Sequence, residues 1–374
     1  MQTLTGADVF DGTTLHPGAS LALDGARVAA ILPPGAALPG QVTRLEGGTL
    51  APGLIDLQVN GGGGWQVDGT ATPDRIAALC DTHARLGATG ILPTLITDTP
   101  QATARAIRAG IEAHQARVPG FLGLHLEGPH LDPRRAGAHD PALIRPMTPT
   151  DLAMLVAARA ALPALMVTLA PAAATPAQIA RLTAAGVTVS LGHADCTHAE
   201  ARAAIAAGAA CATHLFNAMS PMGHREPGLV GAVLASTLPA GLIADGIHVA
   251  PEVLRIALAA RPHGLFLVSD CMAVAGTALT EFRLGPRRIL RHGGRLTLED
   301  GTLAGADLTL PRAIALLAAL GLPLAGILAM ATATPGRLIG AGVGSLAPGR
   351  PADLVHLTPG LALAQTWRAG LPFA

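Results

Sequence analysis

The sequence predicts an α/β chain, a (β/α)8 TIM-like barrel with a small β-sandwich domain built from both chain termini. Three observations lead there. Short apolar runs ending in polar residues recur eight times between residues 54 and 270, with Ala/Leu/Arg-rich segments of helical spacing between most of them. Repeat units of roughly 20 to 45 residues suit βα pairs, and eight such pairs close a parallel barrel. Both chain ends read instead as short strands and turns, and two all-β pieces at opposite ends of a chain usually fold together. A length of 374 residues is too great for one small core and suits a large domain with a smaller partner. The expected division is 1–49 plus 345–374 for the sandwich and 50–344 for the barrel.

Taken in order, the N-terminal piece carries strands at Leu21–Leu23 and Arg27–Ile31 and a loop at Gly35–Gly40. Ala51-Pro52-Gly53 marks the change of pattern. The eight runs then follow: Leu54–Asn60, Ile91–Thr94, Phe121–Glu127, Leu165–Pro171, Val187–His193, Cys211–His214, Leu242–His248 and Leu265–Asp270. Helical spacing is clearest over Pro73–Leu86, Thr103–Ala116 and Thr197–Ala207. Thr72 before Pro73 supplies an N-cap with proline at the first helical position. Ser345–Gly349 reads as a turn and Asp353–Leu357 as a closing strand. An open doubly wound sheet would want a glycine-rich phosphate turn after the first strand. Gly61–Gly64 resembles one, but no helical pattern follows it at once and no acidic residue stands where a ribose would be held.

Composition excludes several function classes. Half of the residues are hydrophobic, 13% are charged, and the formal net charge is zero with no basic run, so no nucleic-acid footprint is expected. A mean hydropathy of +0.45 raises the question of a membrane. However, the longest apolar stretches, such as Ile314–Leu320, fall short of the roughly 20 residues of a spanning helix. Met1–Phe10 lacks a basic segment followed by an apolar one, so the expected location is cytoplasmic. Cys80, Cys196, Cys211 and Cys271 form no CxxC pair, which suits a reducing compartment. The chain has neither lysine nor tyrosine. Schiff-base chemistry, a P-loop lysine and a carboxylated lysine bridging two metals are thereby excluded.

In a barrel, catalytic groups sit at the C-terminal ends of strands. The polar residues ending these runs are Gln58, Asn60, Glu127, His193, His214, His248 and Asp270. One histidine at a strand end is ordinarily structural. A carboxylate (Glu127) and two imidazoles (His193, His214) on separate strands make the ligand set of a borderline metal, with a fourth position open for water. Zinc and ferrous iron both suit that set, one divalent ion per subunit. Asp270 is the candidate general base, able to take a proton from acidified water and return it to a departing nitrogen. His125 shares a strand face with Glu127, as a ligand or as packed support. His16, His292 and His356 fall in sheet or loop regions, and His83 and His114 on outer helices are expected at the surface.

Seven motifs occur in order: Leu126-Glu127-Gly128-Pro129-His130, Gly137-Ala138-His139, Gly192-His193-Ala194, Thr213-His214-Leu215-Phe216-Asn217-Ala218-Met219, Arg225-Glu226-Pro227-Gly228, Asp245-Gly246-Ile247-His248 and Ser269-Asp270. Together they closely resemble the N-acetylglucosamine-6-phosphate deacetylase family of the amidohydrolase superfamily, over nearly the whole chain. The resemblance implies that Glu127, His193 and His214 hold the metal and that Asp270 activates water. It further implies that His139, beside Ala138, polarises the acetamide carbonyl. Backbone near Asn217 and Ala218, with Arg225 from a neighbouring subunit, would take the phosphate, so a homodimer is implied. Asp245 and His248 would contact the sugar, and Leu303-Ala304-Gly305 would lie near the acyl group.

The implied reaction is hydrolysis of N-acetyl-D-glucosamine 6-phosphate to D-glucosamine 6-phosphate and acetate. The alternatives are the galactosamine epimer, another N-acyl compound, or a non-catalytic sugar-phosphate-binding barrel, against which Asp270 speaks. Two positions depart from the pattern. Most of the superfamily carries His-x-His at the first strand end, where this chain reads Gln58-Val59-Asn60; neutral amides are poor ligands, so one metal is expected. Ala172 stands where many relatives carry glutamate.

Overall fold

A computed structural model describes residues 1–373. Eight parallel strands run Leu54–Val59, Ala88–Ile96, Leu124–Glu127, Leu165–Leu169, Thr188–Leu191, Cys211–Ala212, Ala240–Leu242 and Leu265–Leu267, each paired with the next in sequence. The ring closes between last and first: the Asp270 N–H donates to the Gln58 carbonyl at 3.1 Å, and Val59 and Cys271 form a parallel bridge. That seam brings Gln58, Asn60 and Asp270 together at the barrel top.

The helices start where the sequence places threonine and proline. Thr72 accepts the Arg75 N–H ahead of Pro73–Arg85, and Thr99 accepts the Ala102 N–H ahead of Pro100–Gln115. Thr148/Asp151, Thr175/Gln178 and Thr197/Glu200 form reciprocal capping boxes, each satisfying two otherwise orphaned backbone donors. Pro73–Arg85 buries Ile76, Leu79, Cys80, His83 and Ala84, the stripe that three- and four-residue spacing dictates. His83 therefore corrects the expectation of a surface residue. It is 3% exposed, and its Nε2 lies 2.9 Å from the Gly61 carbonyl.

The chain ends form separate sheets. One, of four strands, comes wholly from residues 2–44. The other, of six, joins both ends: Leu354–Leu357 runs antiparallel to Thr49–Pro52, with His356 opposite Leu50. Leu4, Val9, Leu21, Leu23, Leu50, Leu354 and Trp367 make their common core.

Two features depart from expectation. The seventh barrel strand is Ala240–Leu242, not a run reaching His248; residues 245–248 form a turn held by the Asp245 carboxylate. A four-stranded antiparallel sheet, Glu281–Leu284, Arg287–His292, Arg295–Thr297 and Leu303–Ala306, has no counterpart in the sequence reading, and His292 lies in it. Its small core of Met272, Val274, Leu284, Ile289, Leu296 and Ala304 packs against Ile96 and Ala138 at the barrel top.

Candidate active site

The site is built where strands break. His193, His214 and Asp270 lie just beyond the fifth, sixth and eighth strands, with φ of 46°, 29° and 50°. Ala218 follows at 50°. Non-glycine residues avoid this left-handed region, and where they hold it the surrounding structure imposes it. Here it turns the chain over one cavity after the fifth, sixth and eighth strands.

Four side chains converge at its floor. The His214 Nε2 lies 3.0 Å from Glu127 Oε1 and 3.0 Å from His193 Nε2, and His193 Nε2 lies 3.2 Å from the same Glu127 oxygen. His139 Nε2 is 3.9 Å from Glu127 Oε2. All are buried. The ring tautomers follow from their outer partners. His193 Nδ1 faces the Arg135 carbonyl at 2.8 Å and must donate to it, which leaves a lone pair on Nε2. His139 is the opposite: its Nδ1 accepts the Thr97 backbone N–H at 3.2 Å, so the neutral ring carries its proton on Nε2, toward the cavity. His214 Nδ1 is buried without a partner among the described residues.

The carboxylates are held apart chemically. Burial opposes ionisation of Glu127, but His193 and His214 hold its carboxyl well below the usual range. Burial would likewise lower His214, but the Glu127 charge raises it. Asp270 is pushed up to about 6, first by burial and then by the Glu127 charge. Two amides restrain it. Gln58 Nε2 donates to both Glu127 Oε1 and Asp270 Oδ1 at 3.1 Å, and Asn60 Nδ2 donates to Asp270 Oδ1 at 2.6 Å. Below them Asp56, pushed up to about 7 chiefly by burial, accepts the Gln58 N–H at 3.1 Å and the Ser269 N–H at 3.2 Å.

Three lone-pair donors crowded around one buried point need a positive charge among them. A carboxylate with two imidazole nitrogens suits a divalent cation, and a buried Glu/His/His cluster fits a single such ion. Glu127, His139 and His193 also offer ligand atoms within 4.8 Å of one another. The two possible triads differ only in the third imidazole, and the proton on His139 Nε2 disfavours it as a ligand.

The cavity above measures about 250 Å³. Of the residues singled out from sequence it brings together Glu127, Ala138, His139, His193, His214, Asn217, Ala218, His248, Asp270, Leu303 and Gly305. Three others lie elsewhere. Arg225 is exposed on the loop 221–226 and has no partner among the described residues. Asp245 stands behind His248, whose Nδ1 donates to its Oδ2 at 2.6 Å, and so orients that ring rather than lining the cavity. Ala304 is buried in the core of the 281–306 sheet. Sequence reasoning missed Thr97, Ile96, Met272 and Asp56; only Asp56 left a signal, an acid two residues before Gln58 on the same face of an apolar strand.

Residues 49–371 match the family described as Amidohydrolase family. An N-acetylgalactosamine-6-phosphate deacetylase of Shewanella sp. (strain ANA-3) is 40% identical over 331 residues, 87% of this chain and 84% of the relative. The human N-acetylglucosamine-6-phosphate deacetylase is 36% identical over 344 residues, 87% of this chain and 83% of its own. Among solved structures, the N-acetylglucosamine-6-phosphate deacetylase from Pasteurella multocida superposes with a TM-score of 0.95 at 31% identity, covering 100% of this chain and 99% of that one. A barrel whose rim gathers one carboxylate and bare imidazoles beside a second, protonatable carboxylate agrees with that match: the chain belongs to the amidohydrolase family.

Proposed function

We propose that this chain hydrolyses the acetamide of N-acetyl-D-glucosamine 6-phosphate, releasing D-glucosamine 6-phosphate and acetate. The observation that carries the reading is Asp270: a carboxylate raised to about 6 and aimed by two amides at the Glu127/His193/His214 cluster has the features of a proton carrier. Glu127, His193 and His214 would hold one divalent cation, zinc or ferrous iron by donor type. When bound, that ion supplies positive charge that acidifies water and polarises a carbonyl. Asp270 takes the proton from the attacking water and later delivers it to the departing nitrogen. His139, with its proton on Nε2, donates to the carbonyl oxygen as it becomes anionic, a contribution of about 3 kcal/mol. Thr97 fixes that tautomer. Asn217 and His248 meet the polar sugar. The cavity lining contains no arginine and the chain no lysine, so the phosphate charge calls for a cation from outside. The free guanidinium of Arg225, reaching in from a second copy in a homodimer, supplies it on this reading.

A second reading, the galactosamine epimer, is favoured by the 40% identical relative that bears that name. Acetate release from the gluco and galacto phosphates, measured side by side on the metal-loaded protein, tests both. Turnover of the gluco compound at the higher kcat/KM is expected; release from neither would defeat the proposal.

A further inference from the structure

The cavity lining is mixed. Ile96, Ala138 and Met272 pack together beneath the 281–306 sheet and form an apolar wall, and Asn217 and His248 are among the polar residues of the rest of the lining. An acetamide placed beside Asp270 would turn its methyl to the apolar wall and its sugar to the polar residues, because buried hydroxyls need partners. Behind the apolar wall stands the 281–306 sheet. Arg287 lies opposite Leu284 across two of its strands and two residues before Ile289 on one of them. Cross-strand partners and alternate residues share a face. Leu284 and Ile289 are buried in the cluster that packs on Ala138, so Arg287 is on the face turned to the barrel. The register, with Leu290 opposite Thr297, carries it to the sheet end where the 298–302 turn delivers Thr302 and Leu303 to the cavity.

Arg291 shares that face and is committed to Asp307, with two contacts of 2.8 Å. Arg287 is half-buried and, among the described residues, has neither hydrogen-bond nor ion-pair partner. An unpaired guanidinium withdrawn from water invites an anion.

We propose that Arg287, which stands behind the cavity lining and not in it, forms a carboxylate-binding site beyond the acyl end of the pocket. The proposal rests on the reading of that pocket as an amide hydrolase. A carboxylate presents two oxygens to the guanidinium fork. Two sources offer one: the acetate product on its way out, and the terminal carboxylate of a longer N-acyl chain such as succinyl. In the second case water adds to the amide carbon and the C–N bond breaks, giving succinate and the free amine.

The test compares wild type with Arg287→Gln, Arg287→Lys and, as a control, Arg288→Gln, an exposed neighbour paired with Glu281. Inhibition by acetate reports product binding. The kcat/KM ratio of N-succinyl- to N-butyryl-glucosamine 6-phosphate reports the acyl-chain carboxylate, and inhibition by inorganic phosphate reports the other anion. Arg287→Gln weakens acetate inhibition or lowers the succinyl-to-butyryl ratio by roughly tenfold. Arg287→Lys recovers most of that, and Arg288→Gln behaves as wild type. No change in either readout, an equal change in Arg288→Gln, or a loss of phosphate inhibition instead would overturn the assignment. Failure of the underlying reading looks different: wild type then releases acetate from neither hexosamine phosphate. Calorimetric titration of wild type and Arg287→Gln with succinate decides the anion site in that case, by loss or retention of binding.

Discussion

Replacing Asn60 by leucine moves the acid limb of the reaction upward in pH. Asp270 must be ionised to take a proton from water. Its carboxyl stands near 6 against an ordinary 3.8, a cost to the ionised form of roughly 3 kcal/mol. Burial and Glu127 supply the rise, and the Asn60 amide at 2.6 Å works against it. A hydrogen bond to a charged acceptor contributes about 1.5–3 kcal/mol, and one pKa unit corresponds to about 1.4 kcal/mol. Removing that donor while keeping the branching at Cγ should therefore raise the apparent pKa governing kcat/KM by about one to two units. The Gln58 amide remains, which keeps the shift toward the lower end. In a pH series of kcat/KM, the variant loses about tenfold near the wild-type midpoint and approaches wild type on the alkaline plateau. An acid limb that stays in place or moves down would refute the assignment of Asp270 as the base.

Asp270→Asn should lower kcat by at least about 100-fold with metal content by atomic absorption near wild type, since the cation ligands are untouched; a fully active variant would exclude the role. Gly48 has φ +78°, and a Cβ there would stand 2.0 Å from the Leu357 carbonyl oxygen. Gly48→Ala is expected to cost about 2 kcal/mol or more in thermal unfolding while the folded fraction keeps its kcat, because the strain lies in the terminal sheet. An unchanged unfolding midpoint would contradict that packing.

The barrel was legible because its repeats are local. The helices from Pro73, Pro100, Pro149, Pro176 and His198 announce themselves with a Thr-Pro or Thr-x-x-Glu start, and the strands are apolar runs that end in polar residues. The 281–306 sheet was not, since its five arginines and three glycine turns mask a narrow alternation that depends on Ala138 and Met272 for burial. His83 shows the same limit in a helix: its position on the inner stripe was readable, but its partner, the Gly61 carbonyl, comes from a distant loop. In the site, Glu127, His193, His214 and Asp270 were found as residue types at strand ends. The amides of Gln58 and Asn60 were noted as poor metal ligands, whereas Gln58 ties two carboxylates together and Asn60 holds one of them, which only the barrel seam reveals. Asp245 was expected against the sugar and instead serves His248, a three-residue relation that the turn, not a strand, creates. For Ala172 the structure offers no account.

On the proposed function, one cation gripped by Glu127, His193 and His214 beside Asp270 would make the acetamide reactive. Titrating metal back into chelator-stripped protein while following acetate release from N-acetylglucosamine 6-phosphate addresses it directly. No release is expected before addition, then a linear rise that saturates at about one equivalent per chain, the capacity of a single three-ligand site. Full turnover in stripped protein, or activity that climbs until a second equivalent binds, would contradict it.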